Sequence, residues 1–336
     1  MKKRYVLAAL LGLLVIGAVR AQAVAVPAAP FTPQPGAGLP TVTPSASALP
    51  PAFSADRYSF ALPGFGNVAY YADPSGTGRP LLLLTSVNAA ASAFEMRPIF
   101  LSYRGSRPVY VLEWPGFGSS DRPDIRYSPA LMTAALTTMV SLIGADVDVV
   151  ALSLGSEFAA RAALAEPRIK SLALISPTGL SEAKTPEGLA AESRDSENAY
   201  RTLSSPLLSG ILYGSLTLPF VIDLFLRRSF EGDPDPGLLA YSVASTRQPG
   251  SVYAPLFFIS GLLRTPDAYN ELYSKLSVPT LLLYDRDGYI NFTRLPDLTR
   301  ANPNVTALRI APTKGLPQFE QMEQVRAALD AFWARK

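Results

Sequence analysis

The chain contains neither histidine nor cysteine among its 336 residues. Without cysteine it can form no disulfide, and it has no thiolate to act as a nucleophile or as a metal ligand. Without histidine as well, a zinc site would need carboxylates alone, which is an uncommon ligand set. We expect no metal ion and no other cofactor, and any proton transfer must use a group other than imidazole.

The chain also lacks a basic surface of the kind that binds nucleic acid. Its formal net charge is +3, but Lys2, Lys3, Arg4 and Arg20 all lie in the first 23 residues, which contain no acidic residue. Without these four, basic and acidic residues are nearly equal in number. We therefore expect no nucleic-acid partner.

The first 23 residues have the pattern of an export signal. The basic start "MKKR" is followed by the apolar run "YVLAALLGLLVIGAV" and by "AQA" at 21–23, which is the small-residue pattern of a cleavage site. The run is shorter than the ~20 residues of a membrane span. We predict a periplasmic or extracellular protein, cleaved after Ala23. The alternative is an uncleaved anchor, which Arg20 favours and which would be the chain's only attachment to a membrane.

Composition divides the rest of the chain into four parts. Residues 24–53 are rich in proline, alanine, serine and threonine and carry no charge, which favours a flexible tether. Residues 54–180 and 278–336 are predicted to form the two parts of one core. Between them, residues 181–277 form a predicted helical cap insertion.

Short apolar runs alternate with helical patterns through both core parts. The predicted strands include "GNVAYYAD", "RPLLLLTS", "RPVYVLEWPGFG", "VDVVAL", "IKSLALISP", "VPTLLLYDRDG" and "VTALRIAP". A helix is predicted to begin at Pro129 after the capping residue Ser128, and another closes the chain. Strands alternating with helices indicate an α/β fold with a mostly parallel central sheet.

The insertion contains the nearly continuous apolar stretch "LLSGILYGSLTLPFVIDLFL". Its length would suit a membrane span, but Pro219 divides it into pieces that are too short to cross. We predict two helices that pack on the core. They would cover an apolar pocket above Ser153, the serine that follows the predicted strand "VDVVAL".

Four motifs stand at defined places relative to the predicted elements. In chain order they are "EWPGFGSSD" and "ALSLG", each after a strand, "YDRDG" at the end of a late strand, and "KGLPQFEQMEQV" before the last helix. Together they resemble the α/β-hydrolase fold superfamily, in its branch of esterases and lipases. The resemblance implies that Ser153 is a nucleophile on a tight strand-to-helix turn, with Ala151 in place of the usual first glycine.

The resemblance also implies two oxyanion donors. One is the backbone N–H of Leu154, at the start of the helix after Ser153. The other, by position, is the N–H of Val87. The loop that carries Val87 usually begins with His-Gly in this superfamily, whereas this chain has Thr85 and Ser86 there.

The acid of the family's triad is expected directly after the late strand, within "YDRDG". The spacing from the strand favours Asp287, with Asp285 as the second candidate. Both aspartates would also suit a tight turn without any catalytic role.

The resemblance fails at the base. Alignment of the last motif on Pro317 and Glu320 puts Gly315 at the histidine position, and alignment on the glycine puts Leu316 there. Neither side chain accepts a proton. Lys314 is the nearest replacement, provided that burial lowers its pKa; otherwise it is a solvated loop residue. Weaker candidates for the base are Glu95, Glu113 and Glu157.

Two functions follow as expectations. The first is a serine hydrolase of small apolar, ester or lipid-like substrates, with a non-standard or degenerate triad. The second is an inactive relative that binds a hydrophobic ligand or a protein partner. General base catalysis contributes ~10²–10⁴-fold to the rate, so the lack of histidine favours low or absent activity of the triad type.

Overall fold

The computed structural model of the chain describes residues 39–45, 47–182 and 186–334, with the backbone alone at 186–194 and 206–207. The predicted export signal and residues 24–38 of the predicted tether lie outside the described residues. Their cleavage, anchoring and conformation remain predictions.

The described chain forms nine strands in a single sheet. They are β1 (Val42–Pro44), β2 (Asp56–Leu62), β3 (Gly66–Asp73), β4 (Leu81–Leu84), β5 (Val109–Leu112), β6 (Val147–Leu152), β7 (Ile169–Ile175), β8 (Thr280–Arg286) and β9 (Val305–Lys314). Their order is β1-β2-β3-β5-β4-β6-β7-β8-β9. The pairs β1/β2, β2/β3 and β3/β5 are antiparallel, and every other neighbouring pair is parallel. The predicted mostly parallel α/β sheet is confirmed.

The central strands are apolar because both faces of the sheet are covered. All four leucines of β4 and all six residues of β6 are buried. Alternate residues of β6 enter different cores: Val149 and Ala151 pack on one side of the sheet, and Val150 and Leu152 on the other.

Twelve α-helices flank the sheet within the described residues. They are α1 (Arg97–Tyr103), α2 (Pro129–Ile143), α3 (Gly155–Ala163), α4 (Pro186–Leu203), α5 (Pro206–Leu216), α6 (Pro219–Leu226), α7 (Pro236–Thr246), α8 (Tyr253–Ile259), α9 (Ala268–Glu271), α10 (Leu295–Ala301), α11 (Pro317–Glu320) and α12 (Met322–Trp333). The start of α2 is as predicted, because the Ser128 hydroxyl accepts a hydrogen bond from Leu131 N–H at 3.2 Å. The single closing helix that we predicted is instead two, since the backbone leaves the helical region at Gln321.

The prediction of a tether over residues 24–53 is wrong for its last part. Strand β1 pairs with β2, which the sequence pattern also missed, and Leu49, Ala52 and Phe53 are buried. The Arg57 guanidinium donates to the carbonyl oxygens of Ser47 and Leu49 at 2.7 and 2.6 Å. These contacts with distant residues order a segment whose local composition gives no periodic signal.

Six helices, α4 to α9, lie between β7 and β8, where the sequence predicts an insertion. Pro219 is the first residue of α6, and α5 and α6 are bent by 63° relative to each other. The predicted division of the apolar stretch at Pro219 is therefore confirmed. Within the described residues no single helix is long and apolar enough to cross a membrane; the bent pair meets that test jointly, by length and composition.

Candidate active site

Ser153 occupies the turn between β6 and α3, as the sequence predicts. Its φ is +51°, a left-handed conformation that a residue with a Cβ rarely adopts. The turn is held by a hydrogen bond from Ser153 N–H to the Ile175 carbonyl at 2.8 Å. Backbone strain of this kind occurs at functional sites, where the surrounding structure maintains it. The Ser153 hydroxyl forms no hydrogen bond with another described residue.

The turn is tight because α3 begins directly against the end of β4. A Cβ at Gly155 would overlap the carbonyl oxygen of Thr85, so this position requires glycine. The same carbonyl accepts a hydrogen bond from Trp114 Nε1 at 2.9 Å. Ala151, which replaces the usual first glycine, is the penultimate residue of β6 and fits there fully buried.

The two expected oxyanion donors both have free N–H groups. The backbone N–H groups of Leu154 and Val87 have no hydrogen-bond acceptor among the described residues. Both residues are buried. Because Gly155 touches Thr85, the N-terminus of α3 adjoins the loop that carries Val87. Unpaired N–H groups can stabilise an oxyanion when they point to the position where it forms.

Glu95 fixes the loop that carries Val87, a function that the sequence did not reveal. Its buried carboxylate accepts hydrogen bonds from Ser86 N–H at 2.7 Å, Ser86 Oγ at 2.8 Å and Asn88 Nδ2 at 2.9 Å. Burial raises the pKa of the Glu95 carboxyl, and these donors oppose that effect. The carboxylate is thus already occupied by the loop rather than available to Ser153.

The other two glutamates that we considered as bases are likewise engaged. Glu113 accepts from the N–H groups of Ala93 and Ser119 at 2.9 and 2.7 Å. Glu157 accepts from Thr178 Oγ1 and from Thr265 N–H. Burial raises the pKa of both carboxyl groups. All three glutamates therefore anchor loops.

Asp285 and Asp287 have different environments, although the sequence left both open as the acid. Asp285 is buried and accepts from Arg309 Nε at 2.7 Å and from Thr313 N–H at 2.9 Å. Burial alone would raise its pKa, but the hydrogen bonds from Thr313 and Arg309 hold the pKa below the ordinary value. Both of its oxygens are used in joining β8 to β9, so Asp285 has a structural role.

Asp287 has one oxygen turned toward the position of the missing base. Its Oδ1 accepts from the N–H groups of Tyr289 and Ile290 at 2.7 and 3.2 Å. Its Oδ2 would lie 3.0 Å from a Cβ placed on Gly315. Burial raises the pKa of the Asp287 carboxyl, against those two hydrogen bonds. Asp287 is the better candidate for the acid.

The same geometry favours Gly315 over Leu316 as the candidate base position. Gly315 faces Asp287 and has φ +92°. Leu316 is buried in the core that contains Val325 and Leu329. Gly315 is therefore the better candidate for the histidine position.

Lys314 lies next to this position but is not bonded to Ser153. Its backbone N–H donates to Glu320 Oε2 at 2.9 Å, and its positive charge lowers the pKa of Asp287 slightly against burial. Within the described residues its ammonium group forms no ion pair with a carboxylate. The structure thus brings Ser153, Leu154 and Val87 together, and separately Asp287, Gly315 and Lys314.

Ser176 is a further residue at this edge of the sheet that the sequence did not indicate. It follows β7 and has φ +44°; Ser153 and Ser176 are the two non-glycine residues with positive φ in the described chain. Its N–H donates to the Leu283 carbonyl at 2.9 Å, while its buried hydroxyl has no partner among the described residues. The strained backbone would be visible only in a structure.

Two surface clefts of about 540 and 510 Å³ lie elsewhere. The first is formed by residues 230–236, Pro312 and residues 319–321, and the second includes Arg79, Arg107 and Trp333. Neither is lined by Ser153. The apolar pocket above Ser153 therefore stays a prediction.

Known proteins share this fold. The family model described as the alpha/beta hydrolase family matches residues 76–328. No curated protein matches the chain. A bacterial membrane phospholipase A is similar in structure, with 20% identity over 83% of this chain and 86% of its own, and a TM-score of 0.64. A thermophilic esterase from Thermogutta terrifontis has 20% identity over 84% and 98%, with a TM-score of 0.61. The haloalkane dehalogenase DatA from Agrobacterium tumefaciens C58 has 20% identity over 85% and 99%, with a TM-score of 0.64.

At these identities the solved structures demonstrate a common fold and no more. The family model covers well over half of the chain, in agreement with the strand order and with the turn at Ser153. The chain belongs to the alpha/beta hydrolase family.

Proposed function

We propose that the chain is an exported serine hydrolase of ester or lipid-like substrates whose triad lacks its base. The observation that carries the proposal is Ser153, held at φ +51° beside the unpaired N–H group of Leu154. Keeping a strained backbone and an unpaired buried N–H group is costly to stability. Such a cost is understandable if the site binds an acyl group.

The chemistry of this site follows from its groups. Ser153 Oγ attacks the acyl carbonyl carbon, and the N–H groups of Leu154 and Val87 hold the oxygen that gains negative charge. The bond to the alcohol oxygen breaks and that oxygen takes a proton from solvent; water then attacks the acyl-enzyme, releases the acid and leaves Ser153 protonated again. The serine proton passes to solvent, because no described side chain is hydrogen-bonded to Ser153. We expect acylation to be slower by ~10²–10⁴-fold than at a site with a positioned base.

The names of two structural neighbours, an esterase and a phospholipase A, support an ester substrate. Export is supported by the sequence of the first 23 residues alone, with its basic start, apolar run and "AQA". N-terminal sequencing of protein from the producing cell tests export. A retained Met1 would contradict cleavage after Ala23.

Covalent labelling tests the site without requiring turnover. A fluorophosphonate reacts when serine oxygen bonds to phosphorus and fluoride leaves, so the full-length chain should gain one phosphonyl group in its intact mass. Ser153→Ala should abolish the gain. Ser215→Ala should not, since Ser215 is an exposed serine on α5. Absence of labelling in a folded chain would overturn the proposal.

The alternative is an inactive family member that binds a hydrophobic ligand or a protein partner. Gly315 favours it, because the residue that faces Asp287 Oδ2 has no side chain to accept a proton. The phosphonate experiment discriminates between the two, since an inactive binding protein has no reason to keep a reactive serine.

A further inference from the structure

Helices α5 and α6 expose a continuous set of large apolar side chains. Ile211, Phe220 and Leu224 are 61%, 60% and 54% exposed. We define the apolar hairpin surface by these three and their exposed neighbours Leu208, Leu218 and Phe225. Single exposed apolar residues are ordinary on a protein surface, whereas six within residues 208–225, five on the two helices and Leu218 between them, mark an interaction site.

The opposite face of the hairpin is firmly attached to the rest of the protein. Tyr213, Thr217, Val221 and Ile222 are buried. The Tyr213 hydroxyl donates to the carbonyl of Ala89, in the loop after β4, at 3.3 Å. The apolar hairpin surface is therefore the outer side of a packed element.

The chemistry of this surface fits a lipid bilayer. Asp223 is the one charged residue from 205 to 226, so the outer side can enter an acyl-chain region with little desolvation of charge. Neither helix alone is long enough to span a bilayer, and the 63° bend between them suits shallow insertion of their outer side.

The rim of the surface is amphipathic. Tyr289 is half exposed and its hydroxyl donates to the Phe225 carbonyl at 2.7 Å. The Arg228 guanidinium lies 4.4 Å from the centroid of the Tyr289 ring. Tyrosine and arginine are suited to the level of lipid headgroups, where one end of the side chain is apolar and the other is polar. Arg228 is also suited by its charge to lipid phosphate.

The predicted export signal, with its apolar run at 5–19, would bring the chain to a membrane during export. The described residues before β2 contact the helical insertion, because the Tyr241 hydroxyl of α7 donates to the Pro50 carbonyl at 2.7 Å. Helix α7 in turn packs against α6.

We propose that the apolar hairpin surface docks on a phospholipid bilayer, with Ile211, Phe220 and Leu224 among the acyl chains and Arg228 and Tyr289 at the headgroups. The surface adjoins the candidate site, since Arg228 donates to the Gly288 carbonyl at 2.6 Å, one residue from Asp287. Docking does not depend on the proposed hydrolase activity, and its test requires no catalysis.

The absence of cysteine allows a direct test in the full-length chain. Phe220→Cys and Ile211→Cys are each labelled with an environment-sensitive fluorophore and mixed with phosphatidylcholine vesicles that contain a spin-labelled lipid quencher. Leu164→Cys is the matched control, because Leu164 is an exposed leucine, 41% accessible, just beyond the far end of α3 from Ser153. All three variants retain the N-terminal apolar run, so attachment through that run affects them equally.

Docking predicts that lipid quenching at positions 220 and 211 is several-fold stronger than at 164. Equal, weak quenching at all three positions on vesicle-bound protein would overturn the proposal. An emission change at 220 that depends on protein concentration and needs no vesicles would assign the surface to a second copy of the chain, and would also overturn it. Introducing Leu224→Ser into the labelled Phe220→Cys variant should weaken the quenching there.

Discussion

Gly315 lies against Asp287, so that a Cβ at position 315 would be 3.0 Å from Asp287 Oδ2. The carboxylate thus faces a residue with no side chain, at the position that alignment of the last motif on Pro317 and Glu320 gives to the family's histidine. Asp287 and Gly315 are 28 residues apart in the sequence. Because this contact involves Asp287 rather than Asp285, and Gly315 rather than Leu316, substitutions at these four positions should have different effects on activity and stability.

Gly315→His should create or increase esterase activity, by ~10²-fold or more, because the imidazole would stand beside Asp287. The φ of +92° makes the substitution destabilising, by ~1–2 kcal/mol. Hydrolysis of a short activated ester measures the gain, and Ser153→Ala in the same chain should remove it. Leu316→His is the matched comparison and should give no gain, since Leu316 is in the core. A gain in Leu316→His alone would contradict our assignment of the base position.

Asp287→Asn, introduced into the Gly315→His variant, should reduce the gained activity by ~10²-fold or more, because the imidazole would lose its orienting carboxylate. Asp285→Asn should instead lower the free energy of unfolding by ~1–3 kcal/mol, because it breaks the buried contacts with Arg309 and Thr313. Activity assays and denaturant titration separate the two effects. Loss of activity through Asp285→Asn with unchanged stability would reverse the assignment.

Gly155→Ala should destabilise the protein by ~1–3 kcal/mol and reduce phosphonate labelling, because the new Cβ would overlap the Thr85 carbonyl. Gly210→Ala is the matched control within helix α5, where a Cβ meets nothing within 4 Å. It should stabilise by ~0.5–1 kcal/mol, as glycine is unfavourable inside a helix. Thermal denaturation measures both. Equal stability of the two variants would show that the turn at Ser153 does not need this close approach.

The pH dependence of the free energy of unfolding should reflect the raised pKa values of the buried glutamates, such as Glu157. Burial raises the pKa of Glu157 above that of the unfolded chain, so the folded state binds more protons than the unfolded state between the two pKa values. The stabilisation is fully present below ~4.3, the ordinary pKa of a glutamate, and is lost as pH rises through the folded value.

Glu157→Gln should therefore weaken the fall of the free energy of unfolding as pH rises above ~4.3. The amide can still accept from Thr265 N–H and donate to Thr178 Oγ1, so the fold should survive. Glu323→Gln, at an exposed position on α12, is the matched substitution. Denaturant titrations from pH 4 to 8 make the comparison. An unaltered slope in Glu157→Gln would show that this glutamate is ionised in the folded protein.

The sequence by itself determined the elements whose signals are local. The leucines of β4 and the apolar run of β6 indicated strands covered on both faces, and Ser128 with Pro129 marked the start of α2. The small residues around Ser153 predicted the tight turn. In each case the decisive interactions are made within a few residues, or depend only on whether a segment is buried.

Tertiary structure alone decided the matters that depend on residues far apart in the chain. The spacing from the strand favours Asp287 over Asp285 but leaves both open, and only the pairing of β8 with β9 brings Arg309 and Thr313 to Asp285. Residues 49–53 look like a linker until Arg57 and the aromatic core order them. The apolar stretch around Pro219 predicts two helices, but a nearly uniform apolar pattern has no polar face to mark its outer side. Packing against the loop after β4 therefore determines which of its side chains remain exposed.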